Sequence, residues 1–229
     1  MIKDLQIKNM KKFGIRTSGI EIEMENLFKD YLNDNKDDFK YYEVGSAGCI
    51  TLRAITDIVI ENIKHENWLI DGLDLVNGYS LNWDEINSVF DKKTLQVYVD
   101  GTSNLNYLNP PKTRLLLWEN PRLYTKTLND NSLDIVFIDG NHNKQNVTED
   151  FLSIENKVKK DGLVLFHDFS EYEQNTDPQV GGGFIEVRSA CEDLGLLNNS
   201  RNGWNFVKEI SGSRTWGGDG NGVGVFKKL

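Results

Sequence analysis

The sequence predicts an α/β fold with a Rossmann-like, doubly wound sheet that is mostly parallel and ends in an antiparallel strand. Short apolar runs alternate with segments whose apolar residues recur at helical spacing, which is typical of parallel strands joined by helices. Several of these runs end in acidic residues, at the edge where open α/β sheets bind ligands. The last two predicted strands, 204–210 and 223–226, flank a glycine-rich loop, which favours an antiparallel hairpin.

The composition favours a cytoplasmic protein of one domain. The chain has 229 residues, 38% of them hydrophobic, and a net charge of −9, which suits one domain of ordinary to large size. An acidic balance argues against a protein that coats nucleic acid, and no signal peptide or membrane-spanning run is recognisable. The cysteines, Cys49 and Cys191, lie in apolar stretches and are expected to be reduced core residues.

The first core strand, at 41–44, leads through a glycine turn into a helix. Gly45 and Gly48 allow the turn to lie close to a ligand, and Glu43 places a carboxylate beside it. The turn lacks the G-x-G-x-x-G pattern of dinucleotide-binding folds. The carboxylate would repel a diphosphate but suits an ammonium or sulfonium group, although a purely structural turn is the alternative. The helix is marked by Leu52, Ile55, Val59 and Ile63.

The second strand, at 68–75, ends beside Asp74. An acid at this position in an α/β sheet is placed to bind the two hydroxyls of a ribose. A solvated acid at the end of a strand is the alternative.

Two segments compete for the third core strand, 95–99 and 114–118. The second is a continuous apolar run, as expected for a buried parallel strand, and one helix at 122–128 fits the interval before the next strand. We therefore predict 114–118 as the core strand and 95–99 as an inserted strand or hairpin.

Two acid–histidine pairs follow neighbouring strands. The strand at 134–138 ends in Asp139, with His142 close behind, and the strand at 163–166 ends in His167 and Asp168. Because parallel strands end at the same edge, both pairs are expected there, and together they favour a functional site over a structural one.

The segment between these two strands is predicted to be a helix. Asn146 with Glu149 resembles a helix cap and its reciprocal partner. The apolar face includes Phe151 and Val158, and Gly162 would end the helix.

This order of elements resembles the class I S-adenosylmethionine-dependent methyltransferases (EC 2.1.1.-) over residues 41–229. It is most similar to small-molecule O-methyltransferases whose fourth strand ends in Ile-Asp-Gly-x-His and whose fifth ends in His-Asp, here at 138–142 and 167–168. The resemblance implies one methyltransferase domain spanning 1–229. Residues 1–40 would form a helical N-terminal cap, which could also mediate contacts in a homodimer.

The resemblance implies a site for S-adenosylmethionine at the first three strands. The turn after the first strand would hold the methionyl part, Asp74 would bind the ribose, and the residues after the third strand would line the adenine. The implied cofactor-binding residues are Glu43, Gly45, Ser46, Gly48, Asp74, Trp118, Glu119 and Asp139.

The resemblance also implies the catalytic groups, which are Asp139, His142 and His167. Asp139, His167 and Asp168 match the positions that bind a divalent cation, Mg²⁺ or Mn²⁺, and His142 would serve as a base. Relatives carry an acid where this chain has His167, and a histidine ligand shifts metal preference towards Mn²⁺, Fe²⁺ or Zn²⁺. Alternatively no metal binds, and a histidine takes the acceptor's proton.

The glycine-rich loop at 211–222 is predicted to bind a small-molecule acceptor. In the expected fold this loop lies at the carboxyl edge, where Arg214 offers a planar donor fork and Trp216 a stacking face. A flexible hairpin end is the alternative. For the whole chain, the alternatives to a methyltransferase are a non-catalytic module that binds S-adenosylmethionine and a nicotinamide-dependent oxidoreductase.

Overall fold

A computed structural model of the chain describes residues 19–33, 37–46, 49–75, 95–99, 112–118, 120–169, 186–210 and 222–229. Within these ranges, eight strands form one sheet that is covered by helices. The helices are α1 (Gly19–Asn33), α2 (Ile50–Asn62), α3 (Pro121–Thr125), α4 (Lys144–Ile154) and α5 (Val187–Asp193). The strands are β1 (Phe39–Val44), β2 (Trp68–Leu75), β3 (Leu95–Val99), β4 (Thr113–Trp118), β5 (Leu133–Ile138), β6 (Val158–Phe166), β7 (Trp204–Ile210) and β8 (Val223–Lys228).

The sheet has the order β3-β4-β2-β1-β5-β6-β8-β7. Its strands pair in parallel except where β8 meets β6 and β7, both of which it pairs with in antiparallel fashion. After β1 the chain forms β2, β3 and β4 on one side of β1, and it then forms β5 on the other side. The direction in which strands are added therefore reverses between β1 and β5. The predicted fold class is confirmed, including the terminal antiparallel strand.

The third core strand is β4, as predicted, because it pairs in parallel with β2. The segment at 95–99 forms β3, which pairs in parallel with the outer side of β4. It is therefore a strand inserted at the edge of the sheet, and it does not form a hairpin with β4, because hairpin strands run antiparallel.

The helix between the two acid–histidine pairs is shorter than predicted. Asn143 caps α4, since its side chain accepts a hydrogen bond from the backbone N–H of Asn146. The helix ends at Ile154, and Val158 begins β6 opposite Leu133. Sheet pairing with β5 therefore outweighs the helical spacing of Val158, and the predicted cap at Asn146 and helix end at Gly162 are wrong.

Apolar side chains cover both faces of the sheet. On one face, Phe28 of α1 and Leu52 of α2 pack with Tyr41 and other strand residues; on the other, Phe151 of α4 packs with Phe166. Both cysteines are buried and free, as predicted.

The first strand begins inside the segment predicted as the N-terminal cap. Phe39 already belongs to β1, and of residues 1–36 the structure describes only 19–33, as a helix. The cap and the single-domain organisation stay predictions. No helix among the described ranges combines the length and the apolar character needed to cross a membrane.

Candidate active site

The ends of four core strands lie side by side at the carboxyl edge of the sheet. Backbone hydrogen bonds connect each strand end to its neighbour, and they fix the relative position of the predicted motifs. These bonds run from Gly45 N–H to Leu73 O (2.8 Å), from Asp139 N–H to Val44 O (2.8 Å) and from His167 N–H to Ile138 O (3.0 Å).

Gly45 brings the turn after β1 against the backbone after β5. Its φ angle is +87°, and a Cβ at this position would lie 2.2 Å from the carbonyl oxygen of Asp139 and 2.7 Å from Cα of Gly140. Only a residue without a Cβ permits this approach. The glycine turn and the first acid–histidine motif therefore meet in one site.

Glu43 supplies a buried carboxylate at this turn. Its side chain is 1% exposed, and Oε2 accepts a 2.7 Å hydrogen bond from the hydroxyl of Tyr41. Burial raises the pKa of Glu43 to about 8, and the charges of Asp139 and Asp74 contribute in the same direction. The side chain of Glu43 is therefore stable either in its protonated form or as a carboxylate with a positively charged ligand nearby.

The remaining predicted cofactor residues are described only in part. Asp74 is buried at the end of β2, and its Oδ1 accepts a 2.7 Å hydrogen bond from the N–H of Leu75. Ser46 is also buried. Trp118 is partly buried at the end of β4, with its ring centroid 5.7 Å from that of Tyr124. Four predicted residues lie outside the described residues and stay predictions, namely Gly48, Glu119, Arg214 and Trp216.

The two acid–histidine pairs form one cluster, consisting of Asp139, His142, His167 and Asp168. Oδ1 of Asp139 lies 2.7 Å from Nδ1 of His167 and 3.3 Å from Nε2 of His142. Nδ1 of His142 lies 3.0 Å from Oδ2 of Asp168. Donor atoms of Asp139, His142 and His167 all fall within 4.8 Å of one another, a spacing that could hold a metal ion.

Comparison with known families agrees with this arrangement. Residues 90–169, which include both acid–histidine pairs, match the model of a family described as a methyltransferase domain. Over these residues the chain matches a methyltransferase domain, and its sheet has the class I methyltransferase fold. The fold and the enzyme class that the sequence predicts are thereby confirmed. No curated protein is similar enough in sequence to match the chain.

Solved structures share the fold of this methyltransferase at low sequence identity. A protein from Corynebacterium glutamicum has a TM-score of 0.57 and 12% identity, over 99% of this chain and 88% of that one. An O-methyltransferase from Bacillus cereus, in complex with S-adenosylhomocysteine, has a TM-score of 0.54 and 10% identity, over 99% and 90%. The O-methyltransferase TomG of Streptomyces achromogenes, involved in tomaymycin synthesis and solved with S-adenosylmethionine, has a TM-score of 0.56 and 12% identity, over 99% and 88%.

Charge in the cluster of the methyltransferase is balanced between carboxylates and imidazoles. Burial disfavours the imidazolium of His142, but Asp139 and Asp168 outweigh it and raise its pKa to about 9. The pKa of His167 is also raised, because the charge of Asp139 outweighs burial. Burial opposes ionisation of Asp139, yet the charge of His167 and the hydrogen bond with His142 lower its pKa. The carboxylates thus stabilise positive charge between them.

Glu186, which sequence reasoning missed, holds the backbone beside His142. Its N–H donates a 2.9 Å hydrogen bond to the carbonyl of His142, and its carboxylate accepts one of 2.9 Å from the N–H of Lys144. No motif marks this residue, because it lies more than forty positions along the chain from its partners. Tyr41, also missed, could have been found, since alternate strand residues share a face and Tyr41 lies two positions before Glu43.

Phe169 anchors the turn that carries Asp168. Asp168 adopts a φ of +51°, and the next residue donates a 2.9 Å hydrogen bond from its N–H to the carbonyl of Gly222. The ring of Phe169 lies so close to Gly224 that a Cβ there would be 2.6 Å from the ring. The end of β6 is therefore held in place by β8.

The free energy of unfolding of the ligand-free methyltransferase is expected to fall between pH 6.5 and 8. Folded Glu43 keeps its proton up to about pH 8, whereas an unfolded glutamate loses it near 4.5. The stabilisation from His142 is fully present below about 6.5 and is lost as pH rises towards 9. The native state thus binds more protons than the unfolded state, and each such proton lowers stability by up to about 1.4 kcal/mol per pH unit.

Urea unfolding with a chelator present, at pH 6.5, 7.25 and 8, measures this dependence. Glu43→Gln should make the decline shallower, because glutamine does not titrate. Stability that stays constant or rises over this interval would contradict the assigned protonation states.

Proposed function

We propose that this methyltransferase transfers the methyl group of S-adenosylmethionine to a hydroxyl of a small-molecule acceptor in the cytoplasm. The observation that carries the proposal is the convergence of Glu43, Asp74 and Asp139 at one edge of the sheet, where burial and, to a smaller extent, the charges of Asp139 and Asp74 raise the pKa of Glu43. S-Adenosylmethionine carries an ammonium and a sulfonium group, which would favour the ionised form of Glu43, whereas the diphosphate of a nicotinamide cofactor would be repelled by the negative charge of Asp139. The O-methyltransferases from Bacillus cereus and Streptomyces achromogenes, which share the fold, support the same cofactor and reaction.

The cofactor would lie over the turn after β1. Glu43 would face the positive methionyl end, and Gly45 would allow close contact with the backbone from Ser46 to Gly48. Asp74 would accept hydrogen bonds from the ribose hydroxyls, and the chain after Trp118 would line the adenine. S-Adenosylmethionine supplies a methyl group on a sulfonium, so the protein needs mainly to position the acceptor and remove its proton.

The acid–histidine cluster would prepare the acceptor hydroxyl. Asp139 lies both in this cluster and against the glycine turn, so the cluster and the proposed cofactor site adjoin. The donor set of carboxylate oxygens and imidazole nitrogens fits a divalent cation. Such a cation, when bound, would lower the pKa of a hydroxyl.

The acceptor would be held by the connection between β7 and β8. The chain leaves β7 at Ile210 and returns at Val223, which pairs with it, and β7 runs parallel to the core strands, so both ends lie at the carboxyl edge. Arg214 and Trp216 belong to this connection and remain the proposed acceptor-binding residues. A homodimer is compatible with this arrangement.

Calorimetric binding of S-adenosylhomocysteine is the test of the proposal. The wild type is expected to bind it, and NAD is expected to give no heat. Glu43→Gln and Asp74→Ala should each weaken binding by roughly 1–3 kcal/mol, the penalty for leaving polar groups of the ligand unpaired. Asp130→Ala, which removes a carboxylate that is 65% exposed at the opposite edge, is the matched control and should leave affinity unchanged.

Two outcomes would overturn the proposal. Binding of NAD without binding of S-adenosylhomocysteine would indicate an oxidoreductase. Binding of S-adenosylmethionine without formation of S-adenosylhomocysteine, across a panel of phenols, sugars and hydroxylated peptides, would favour the non-catalytic module.

A further inference from the structure

We propose that the cluster is a two-histidine, one-carboxylate metal centre, in which Asp139, His142 and His167 bind a divalent transition-metal cation and Asp168 orients His142. In this arrangement His142 is a ligand and not a base, and Asp168 hydrogen-bonds to that ligand through Oδ2. The buried Oδ1 of Asp168 lies 3.4 Å from Nδ1 of His167 and stays outside the group of three donors. The inference deepens the proposed function and rests on it only for the use of the metal in methyl transfer.

Two of the three distances between the donor atoms are close to those of ligands around one cation, and the third is within 4.8 Å. Metal–ligand bonds of about 2.1 Å place neighbouring ligands about 3.0 Å apart in an octahedral site and about 3.4 Å apart in a tetrahedral one. Oδ1 of Asp139 lies 2.7 Å from Nδ1 of His167 and 3.3 Å from Nε2 of His142. The three side chains come from two strand ends that backbone hydrogen bonds hold together, so the spacing is built into the fold.

Nδ1 of His167 lies close to Asp139 without a directed hydrogen bond. The atom is buried, and although it lies 2.7 Å from the Asp139 oxygen, it has no properly directed hydrogen-bond partner among the described residues. Two neighbouring ligands of an octahedral cation lie close together in the same way without a hydrogen bond between them. Their bonds to the cation meet at a right angle, so each lone pair points roughly 45° away from the line that joins the two ligand atoms. Nε2 of His142 makes a 3.3 Å hydrogen bond to the same oxygen, and a cation bound between the two atoms would replace that bond.

Asp168 is placed to fix the ring of His142. Metal-binding histidines almost always donate their second ring N–H to a carboxylate, a carbonyl or water. Nε2 of His142 lies on the Asp139 side, and Nδ1 lies 3.0 Å from Oδ2 of Asp168. Nε2 is therefore assigned to the metal and Nδ1–H to Asp168. Glu186 supports the same ring through the backbone carbonyl of His142.

The donor set selects the class of cation. Mg²⁺ prefers oxygen ligands and retains its waters, whereas imidazole suits Zn²⁺, Fe²⁺ and related transition metals. Two imidazoles and one carboxylate should therefore bind Co²⁺, Zn²⁺ or Mn²⁺ in preference to Mg²⁺.

Metal titration of the full-length, chelator-treated protein tests the inference without any methyl acceptor. Calorimetry should give one equivalent of Co²⁺ or Zn²⁺ bound at least 100-fold more tightly than Mg²⁺. His142→Ala and His167→Ala should each weaken Co²⁺ binding at least 100-fold, and Asp168→Asn by about 10–100-fold, as for other residues that orient ligands. His65→Asn changes the chain's remaining histidine, which precedes β2 and accepts a hydrogen bond from the N–H of Asn67. It is the control and should bind as the wild type does.

Proton NMR of the Co²⁺-loaded protein identifies the ligands directly. Each bound imidazole should give one strongly shifted signal that disappears in D₂O, so the wild type should show two. His142→Ala should show one such signal. Asp168→Asn should keep both signals, but the N–H proton of His142 should exchange with solvent faster than in the wild type. Circular dichroism establishes that each variant is folded before it is loaded.

Three results would overturn the proposal. They are wild-type Co²⁺ affinity in folded His142→Ala, Mg²⁺ bound as tightly as Co²⁺, or an Asp168→Asn variant that loses the metal while His142→Ala retains it. Metal binding as expected in a protein that does not bind S-adenosylhomocysteine would instead contradict the proposed function alone.

Discussion

Replacing Gly45 with alanine is expected to lower the free energy of unfolding by about 2–5 kcal/mol, or to prevent folding. A non-glycine residue in the left-handed region costs about 1–2 kcal/mol, and overpacking adds about 1–3 kcal/mol. Here the new Cβ would lie 2.2 Å from the carbonyl oxygen of Asp139. Since the obstacle is backbone and not a flexible side chain, the two strand ends would have to separate.

Gly203→Ala is the matched control for this substitution. Its φ of +84° is close to that of Gly45, but no atom lies within 4 Å of the position of its Cβ. The free energy of unfolding of Gly203→Ala should therefore fall only by the cost of placing alanine in this backbone conformation, about 1–2 kcal/mol. Urea unfolding of both variants measures the difference, which isolates the contact between the glycine turn and Asp139. Equal losses would show that this contact contributes nothing beyond backbone conformation.

The elements that carry the site could be predicted because burial on both faces makes the core strands continuous apolar runs. The runs at 134–138 and 163–166 end in charged residues, so their ends and the edge they share could be read from the sequence. The start of β6 could not be predicted from the sequence, because Val158 also fits the apolar spacing of the preceding helix. Its pairing with Leu133 depends on a strand that lies elsewhere in the chain.

The composition of the site was more predictable than its internal contacts. The sequence places Asp139, His142, His167 and Asp168 at one edge, and the structure brings them together. Which nitrogen faces which carboxylate depends on the turn at Asp168 and on Glu186, whose partners are distant in sequence. These details separate a histidine that accepts a proton from one that binds a metal.

Asp139→Asn is expected to reduce methyl transfer by about 10²–10⁴-fold, the range for losing the assistance that removes the acceptor's proton. Its Oδ1 lies within 3.3 Å of nitrogens from both histidines, so one substitution removes the shared carboxylate of the cluster. Asparagine keeps the shape but lacks the charge that raises the pKa of His142 and of His167. Both pKa values should therefore fall, and the amide is also a poorer ligand for a cation.

The measurement is the rate of S-adenosylhomocysteine formation with an acceptor that the wild type methylates, alongside calorimetric affinity for S-adenosylhomocysteine. Affinity should fall less than it does for Glu43→Gln or Asp74→Ala, because the cofactor contacts assigned to those two residues remain. Asp168→Asn should lose less activity, about 10–100-fold, because it acts through the ring of His142. Asp130→Asn, at the opposite edge of the sheet, should have no effect. If Asp168→Asn instead loses more activity than Asp139→Asn, the shared group of the cluster is Asp168, and the roles assigned to the two carboxylates must be exchanged.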